Sequence, residues 1–249
     1  MFDPDNIPIA AIIPAAGQGT RLGGQTKKQF KHLAGKPLLL HTLERIIQAP
    51  NLRWLIVAVP ESHLEETRTM IGGSIPREIE LMLVAGGSTR QQSVANALAK
   101  VPKEALLVMV HDAARPVPDP AWITQSAALC QTFDGAIVAL PSQDTLKEVT
   151  DASDGLTEGG AGVVKATIAR KVIWQAQTPQ TFRTAILRKA MANAKEKGIT
   201  GTDESYLVES IGGKIAIIKG SPQNIKITSR SDWDYMEWRL AADQDRNRY

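Results

Sequence analysis

IAAIIPAAGQGTRLGGQTKKQF, residues 9–30, decides how the chain is read. It opens as a buried β-strand of Ile and Ala. It then runs into Ala15, Ala16, Gly17 and Gly19, residues too small to keep a ligand away from the backbone. Four basic residues, Arg21, Lys27, Lys28 and Lys31, follow within twelve positions of Gly19. Exposed amides in such a turn hydrogen-bond phosphate oxygens, and the cations neutralise several charges, which outlines a nucleoside triphosphate loop. A tight turn without a ligand is the alternative. Two better-known glycine loops do not fit: Leu22 stands where a dinucleotide fingerprint needs Gly or Ala, and no G-x-x-x-x-G-K-[ST] motif occurs.

Outward from this loop the charge stays one-sided. No Asp or Glu occurs from Asn6 to Leu43, although the chain carries 29 basic and 26 acidic residues, net +3. That asymmetry fits a polyanionic ligand or a solvated basic face, and the small net charge does not suggest nucleic-acid binding. With 43% hydrophobic and 22% charged residues in 249, the composition is that of a globular chain with one sizeable core. The longest aliphatic run, 105–110, is far short of a membrane span, and MFDPDNIPIAA lacks the regions of a signal peptide, so a cytoplasmic protein without membrane contact is expected. One cysteine, Cys130, excludes a disulfide framework, and four scattered histidines offer no zinc spacing.

Short β-branched runs at 9–13, 52–59, 79–84, 106–110, 136–140 and 214–218 alternate with amphipathic stretches at 38–48, 61–70, 91–100, 121–133, 184–197, 204–210 and 232–243. This rhythm predicts an α/β fold: one doubly wound, mostly parallel, Rossmann-like sheet, with residues 1–249 as a single domain. Asp119 with Pro120 is the expected start of the 121–133 helix, and Ser231 the expected cap of the last one. Residues 141–180 break the rhythm. Two extended stretches, 145–149 and 163–169, flank a polar, glycine-rich segment and read as a protruding β-hairpin arm. A hairpin is marginal by itself, so the arm is expected to lie on a second copy of the chain and form a homodimer.

PAAGQGTRLGGQTKKQF resembles the signature of nucleotidyltransferases that make activated sugars and alcohols, and in detail the 2-C-methyl-D-erythritol 4-phosphate cytidylyltransferase family of the non-mevalonate isoprenoid pathway. The resemblance returns at GGSTRQQSV (86–94), VHDAARP (110–116), DTLK (144–147), QAQTPQTF (175–182), TDE (202–204) and NIKIT (224–228). Lys27, Ser88 and Ala169 depart from the family pattern, where a proline, an acidic residue and an aspartate are usual. The first touches the phosphate loop and the last the setting of Arg170.

The resemblance implies that CTP and 2-C-methyl-D-erythritol 4-phosphate give the CDP-alcohol and pyrophosphate, with Mg²⁺ as cofactor. Catalytic roles fall on Arg21 and Lys28 at the α-phosphate and on Arg170 and Lys226. CTP is assigned to Ala15, Ala16, Gly17, Gly19, Gly87, Ser88, Arg90, Ser93, Asp112 and Ala113. Asp112 takes the ribose hydroxyls or the Mg²⁺, and Arg115 ties its loop down by pairing with a carboxylate. The alcohol phosphate is assigned to Thr145, Arg170, Thr178, Thr202 and Lys226, with Thr202 alternatively a cap for the 204–210 helix. A ribitol 5-phosphate cytidylyltransferase shares this logic, as does a non-catalytic nucleotide-binding regulator on the same fold.

Overall fold

The computed structural model describes residues 7–17, 27–150 and 162–246. Its centre is a seven-stranded sheet built from β1 (Ile9–Pro14), β4 (Leu52–Val59), β5 (Glu80–Ala85), β6 (Leu107–Val110), β7 (Gly135–Pro141), β10 (Trp174–Arg183) and β11 (Ile215–Lys219), in the order β11-β7-β10-β6-β1-β4-β5. Strand β1 pairs parallel with β4 and β6, β4 with β5, and β7 with β11; β10 alone runs against its neighbours β6 and β7. Between β1 and β4, the short strands β2 (His32–Leu33) and β3 (Lys36–Pro37) pair antiparallel and lead the chain into the first helix.

Strict alternation along β1 shows why the sheet is covered on both faces. Ile9, Ala11 and Ile13 enter one core with Leu39 and Leu43 of α1 (Leu38–Ile46), Ile71 of α2 (Leu64–Gly72) and Ile123 of α4 (Ala121–Leu129). Ala10 and Ile12 enter the other with Val94 of α3 (Arg90–Leu98), Leu187 of α5 (Thr184–Lys197) and Leu207 of α6 (Glu204–Glu209). Each fully buried Ile or Leu here contributes about 1.5–3 kcal/mol of transfer free energy. A third, smaller core seats α7 (Arg230–Arg246) through Trp233, Met236 and Leu240 on Leu33, Leu38 and Ile227. Among the described residues no helix is long and apolar enough to cross a membrane.

Two expectations shift at helix ends. The amide of Ala121 donates to Asp119 at 2.9 Å, so Asp119 holds the α4 start as expected. The α7 helix instead begins at Arg230: the hydroxyl of Ser229, not Ser231, accepts from the Asp232 amide, and the Asp232 carboxylate accepts from the amides of Thr228 and Ser229. That reciprocal arrangement satisfies more of the free amides of the first turn than Ser231 could.

The arm is smaller than its sequence suggests. Only β8 (Leu146–Thr150) and β9 (Val163–Ile168) form the separate two-stranded sheet, whereas 174–180 belong to β10 in the middle of the main sheet. QAQTPQTF carries no apolar alternation, which is why it does not read as a strand. Its buried polar groups are all engaged: Gln180 donates to Asp203, Thr181 accepts from Ser126, and Gln177 donates to the carbonyls of Ser221 and Asn224. Hydrogen bonds replace apolar burial in this strand.

Candidate active site

Parallel strands end on one side of the sheet, and three of those ends converge. Leaving β1, the Ala15 amide donates to Ala58 at 2.7 Å, and the buried Gln29 side chain donates to the carbonyls of Ala15 (2.5 Å) and Gly17 (3.3 Å). The turn Lys28–Phe30 thereby holds the start of the glycine loop in place. Leaving β5, Gly86 packs so closely that an added Cβ would fall 2.2 Å from the Ala16 Cβ, so two adjoining loops share one small-residue floor. Thr89 then caps α3 by accepting from the Gln92 amide. Leaving β6 come His111, Asp112 and Ala113.

These ends enclose a cavity of about 390 Å³. Its lining contains Ala15, Ala16, Gly17, Lys28, Gly87, Ser88, Arg90, Ser93, Asp112, Ala113 and Lys226. Every nucleotide residue expected from the sequence is there, except Gly19, which with Arg21 lies outside the described residues. The Ser93 hydroxyl donates to the Thr89 carbonyl at 2.9 Å and accepts from the Gly87 amide at 3.0 Å. Its proton is therefore committed, and what it retains is acceptor capacity. Lys28 donates to the Ile227 carbonyl at 2.5 Å, and the Ile227 amide donates to Ala114, which lays the NIKIT segment across the loop after β6.

A chain of charges forms the far wall. Arg90 Nε donates to Asp112 Oδ1 at 2.9 Å, while its two terminal nitrogens donate to Glu204 at 2.7 and 2.9 Å. Lys226 Nζ lies 2.9 Å from Asp112 Oδ2, and Arg115 Nε stands 3.8 Å from the same oxygen. Burial pushes the Asp112 carboxyl up, but Arg90 and Lys226 outweigh it and hold the group well below the usual carboxylate range. Burial works against the Arg90 charge, and the carboxylates of Glu204 and Asp112 more than restore it. Arg115, expected to tie its loop by pairing with a carboxylate, hydrogen-bonds a backbone carbonyl instead, donating to Asn224 at 2.6 Å, with Asp112 only at 3.8 Å.

Beyond that wall lies a second cavity of about 240 Å³, lined by Arg90, Asp112, Arg115, Ala176, Thr178, Gln180, Thr202 and Lys226 among others. Arg90, Asp112 and Lys226 belong to both. Three of the residues expected at the alcohol phosphate, Thr178, Thr202 and Lys226, are thus brought together. The Thr178 hydroxyl also has an internal task. It accepts from the Asp112 amide at 3.0 Å and lies 3.1 Å from His111 Nδ1, while His111 Nε2 faces the Arg115 carbonyl at 2.9 Å. Thr202 does not cap α6; Asp203 does, accepting from the Tyr206 amide. Thr145 and Arg170 are in neither lining. Both are exposed on the arm, where Arg170 donates to the Gln143 carbonyl.

Glu204 and Gln29 support the site from behind its lining or loop, and although both fall in the quoted motifs the sequence assigned neither a role. Glu204 reads as an ordinary acidic residue in the first turn of a helix, and its partner is far away in the chain. Gln29 is masked by the lysines around it.

Cations lining a triphosphate-sized cavity at the carboxyl ends of a mostly parallel sheet define a nucleotidyltransferase. In fold the chain resembles the crystal structure of 4-diphosphocytidyl-2C-methyl-D-erythritol synthase from Anaerococcus prevotii, with a TM-score of 0.79 at 23% identity over 95% of this chain and 99% of that one. The structure of 2-C-methyl-D-erythritol 4-phosphate cytidylyltransferase from Thermus thermophilus matches with a TM-score of 0.72 at 31% identity, covering 94% and 99%. By sequence, the chain is 42% identical over 230 residues to the 2-C-methyl-D-erythritol 4-phosphate cytidylyltransferase of Acidobacterium capsulatum, covering 90% of this chain and 93% of the relative. The family model for IspD, 2-C-methyl-D-erythritol 4-phosphate cytidylyltransferase, matches residues 9–241. The chain belongs to that family.

Proposed function

We propose that the chain transfers the cytidylyl group of CTP to 2-C-methyl-D-erythritol 4-phosphate and releases pyrophosphate. The observation that carries this reading is the wall of Arg90, Asp112 and Lys226 common to two cavities, one of nucleotide size and one smaller. A phosphate monoester in the smaller cavity would face the α-phosphate of a nucleotide in the larger one across fixed cations.

The chemistry asks for positioning and charge stabilisation. An oxygen of the alcohol phosphate attacks the α-phosphorus in line, the bond to the bridging oxygen of pyrophosphate breaks, and no protein nucleophile is required. Lys28, with Arg21, is assigned the charge that builds on the five-coordinate phosphorus. Lys226 is assigned the attacking phosphate, exchanging Asp112 for it. The acceptor capacity of Ser93 suits the N4 amino group of cytosine, and uracil presents an acceptor there instead. Asp112 is assigned the ribose.

Mg²⁺ is assigned to the triphosphate and enters with the nucleotide. Among the described residues no three His, Cys, Asp or Glu side chains cluster, and both Asp112 oxygens already face cations. Magnesium keeps several waters and takes phosphate oxygens readily, so the triphosphate supplies its ligands.

The arm completes the reading. Val163, Val164, Ile168 and Val172 are all exposed on it, Val172 by 79%, a run of apolar surface that a second copy of the chain would cover. A homodimer joined through the arm would carry Thr145 and Arg170 to the partner's alcohol-phosphate cavity.

The deciding experiment offers the purified protein CTP and Mg²⁺ with 2-C-methyl-D-erythritol 4-phosphate or ribitol 5-phosphate, side by side, and follows pyrophosphate release. Preference for the first supports the assignment, preference for the second moves the chain to ribitol, and release with neither removes the enzymatic reading.

A further inference from the structure

Glu204 is 1% exposed and takes no part in the chemistry above, yet both its oxygens are spent on one guanidinium. Burial pushes its carboxyl up, and Arg90 pulls it back only in part. What this carboxylate does is hold Arg90, with both its oxygens on the terminal nitrogens of one guanidinium.

Of the three cations around Asp112, the two within hydrogen-bond distance, Arg90 and Lys226, are held unequally. Arg90 is fixed at three points: Nε on Asp112 and both terminal nitrogens on Glu204. Lys226 has a single ion pair, with Asp112, and its side chain is 41% exposed. Both line both cavities. A phosphate arriving in the smaller one meets one cation that can turn toward it and one that cannot.

We propose that Glu204 is a positioning residue for the alcohol phosphate: it clamps Arg90 onto Asp112 so that Arg90 shares the Asp112 charge and Lys226 is left free to exchange Asp112 for substrate. This rests on the reaction proposed above. Without the clamp Arg90 swings off Asp112, the Asp112–Lys226 pair tightens, and incoming phosphate must compete with a carboxylate whose other cation, Arg115, stands back at 3.8 Å.

Glu204→Gln, which keeps shape and removes charge, tests this in steady-state assays varying each substrate. The expected result is a KM for 2-C-methyl-D-erythritol 4-phosphate raised about tenfold, with the KM for CTP within about twofold and kcat within about threefold of wild type. A purely structural role would reduce the folded fraction, lowering apparent kcat with neither KM moved, and that result overturns the proposal. Should the single variant not accumulate, Arg90→Met with Glu204→Met removes both buried charges, a change that folds commonly tolerate. It must raise the same KM at least as much, and an unchanged KM sinks the clamp. The wild type run in parallel separates the two ideas: an active wild type with an unmoved variant refutes the clamp alone, while an inactive wild type refutes the functional reading and the clamp with it.

Discussion

The wall around Asp112 and the β8–β9 arm carry polar residues of the same kinds, but in opposite circumstances. In the wall, each charged group faces a partner within the chain, and the loop beneath it is tied by Thr178 and His111. On the arm, Thr145 and Arg170 are exposed, as are Val164 and Val172. The wall is completed within its own chain, whereas the arm leaves apolar side chains exposed. Exposed apolar surface near functional residue types is the pattern behind the homodimer proposed above.

The sharpest way to break the first half of the contrast is the base. Replacing CTP by UTP is expected to lower kcat/KM by about 10³-fold or more, because the Ser93 acceptor then meets an acceptor. Equal rates with the two nucleotides would show that the cavity does not read the pyrimidine edge. Next is Lys28→Ala, expected to lower kcat by about a hundredfold with a smaller change in CTP affinity. Turnover near wild type would take Lys28 out of the chemistry and point to Lys27.

The second half is tested by mixing. Lys28→Ala and Arg170→Ala proteins, each nearly inactive, should regain about a quarter of wild-type activity when co-folded, since half the dimers are mixed and each holds one intact site. No recovery, or a monomer by light scattering at assay concentration, would show that the site is complete within one chain.

The smallest effect is on stability. Burial lowers the His111 pKa from 6.5 to about 4. Its neutral form is the one the fold accommodates, so stability present above pH 6.5 is lost as pH falls toward 4, by about 2–3 kcal/mol. Glu204 shifts the other way, so the comparison is between wild type and His111→Gln by urea unfolding at pH 7.5 and 4.5. The wild type should lose more than the variant, and parallel losses would remove His111 as the cause.

How far the sequence could be read follows from the same distinction. Strand β1, the small residues 15–17 that follow it and the helices around the sheet were legible because apolar period and local turn chemistry write them in consecutive residues. β10 was not legible, since its polar groups are buried against partners such as Asp203 and Asn224 that lie outside its own segment. Glu204 was hidden for the same reason. Thr178 was legible as a residue of the site, but its bond to the Asp112 amide belongs to three-dimensional neighbours and has no local signature.

The base of the arm has a consequence for engineering. Pro141 and Trp174 sit opposite each other in the β7–β10 pairing, and the Ser142 amide still donates to the Ile173 carbonyl, so the chain leaves the main sheet and returns to it through one narrow gate. Topologically the excursion is an overgrown hairpin loop. Closing the gate with an Asn-Gly turn would leave every strand of the central sheet in its present register. In that sense the arm is built as a cassette, and shortening it, exchanging it between relatives or fusing it to another chain is expected to leave the nucleotide half of the molecule folded, which thermal unfolding of such variants checks.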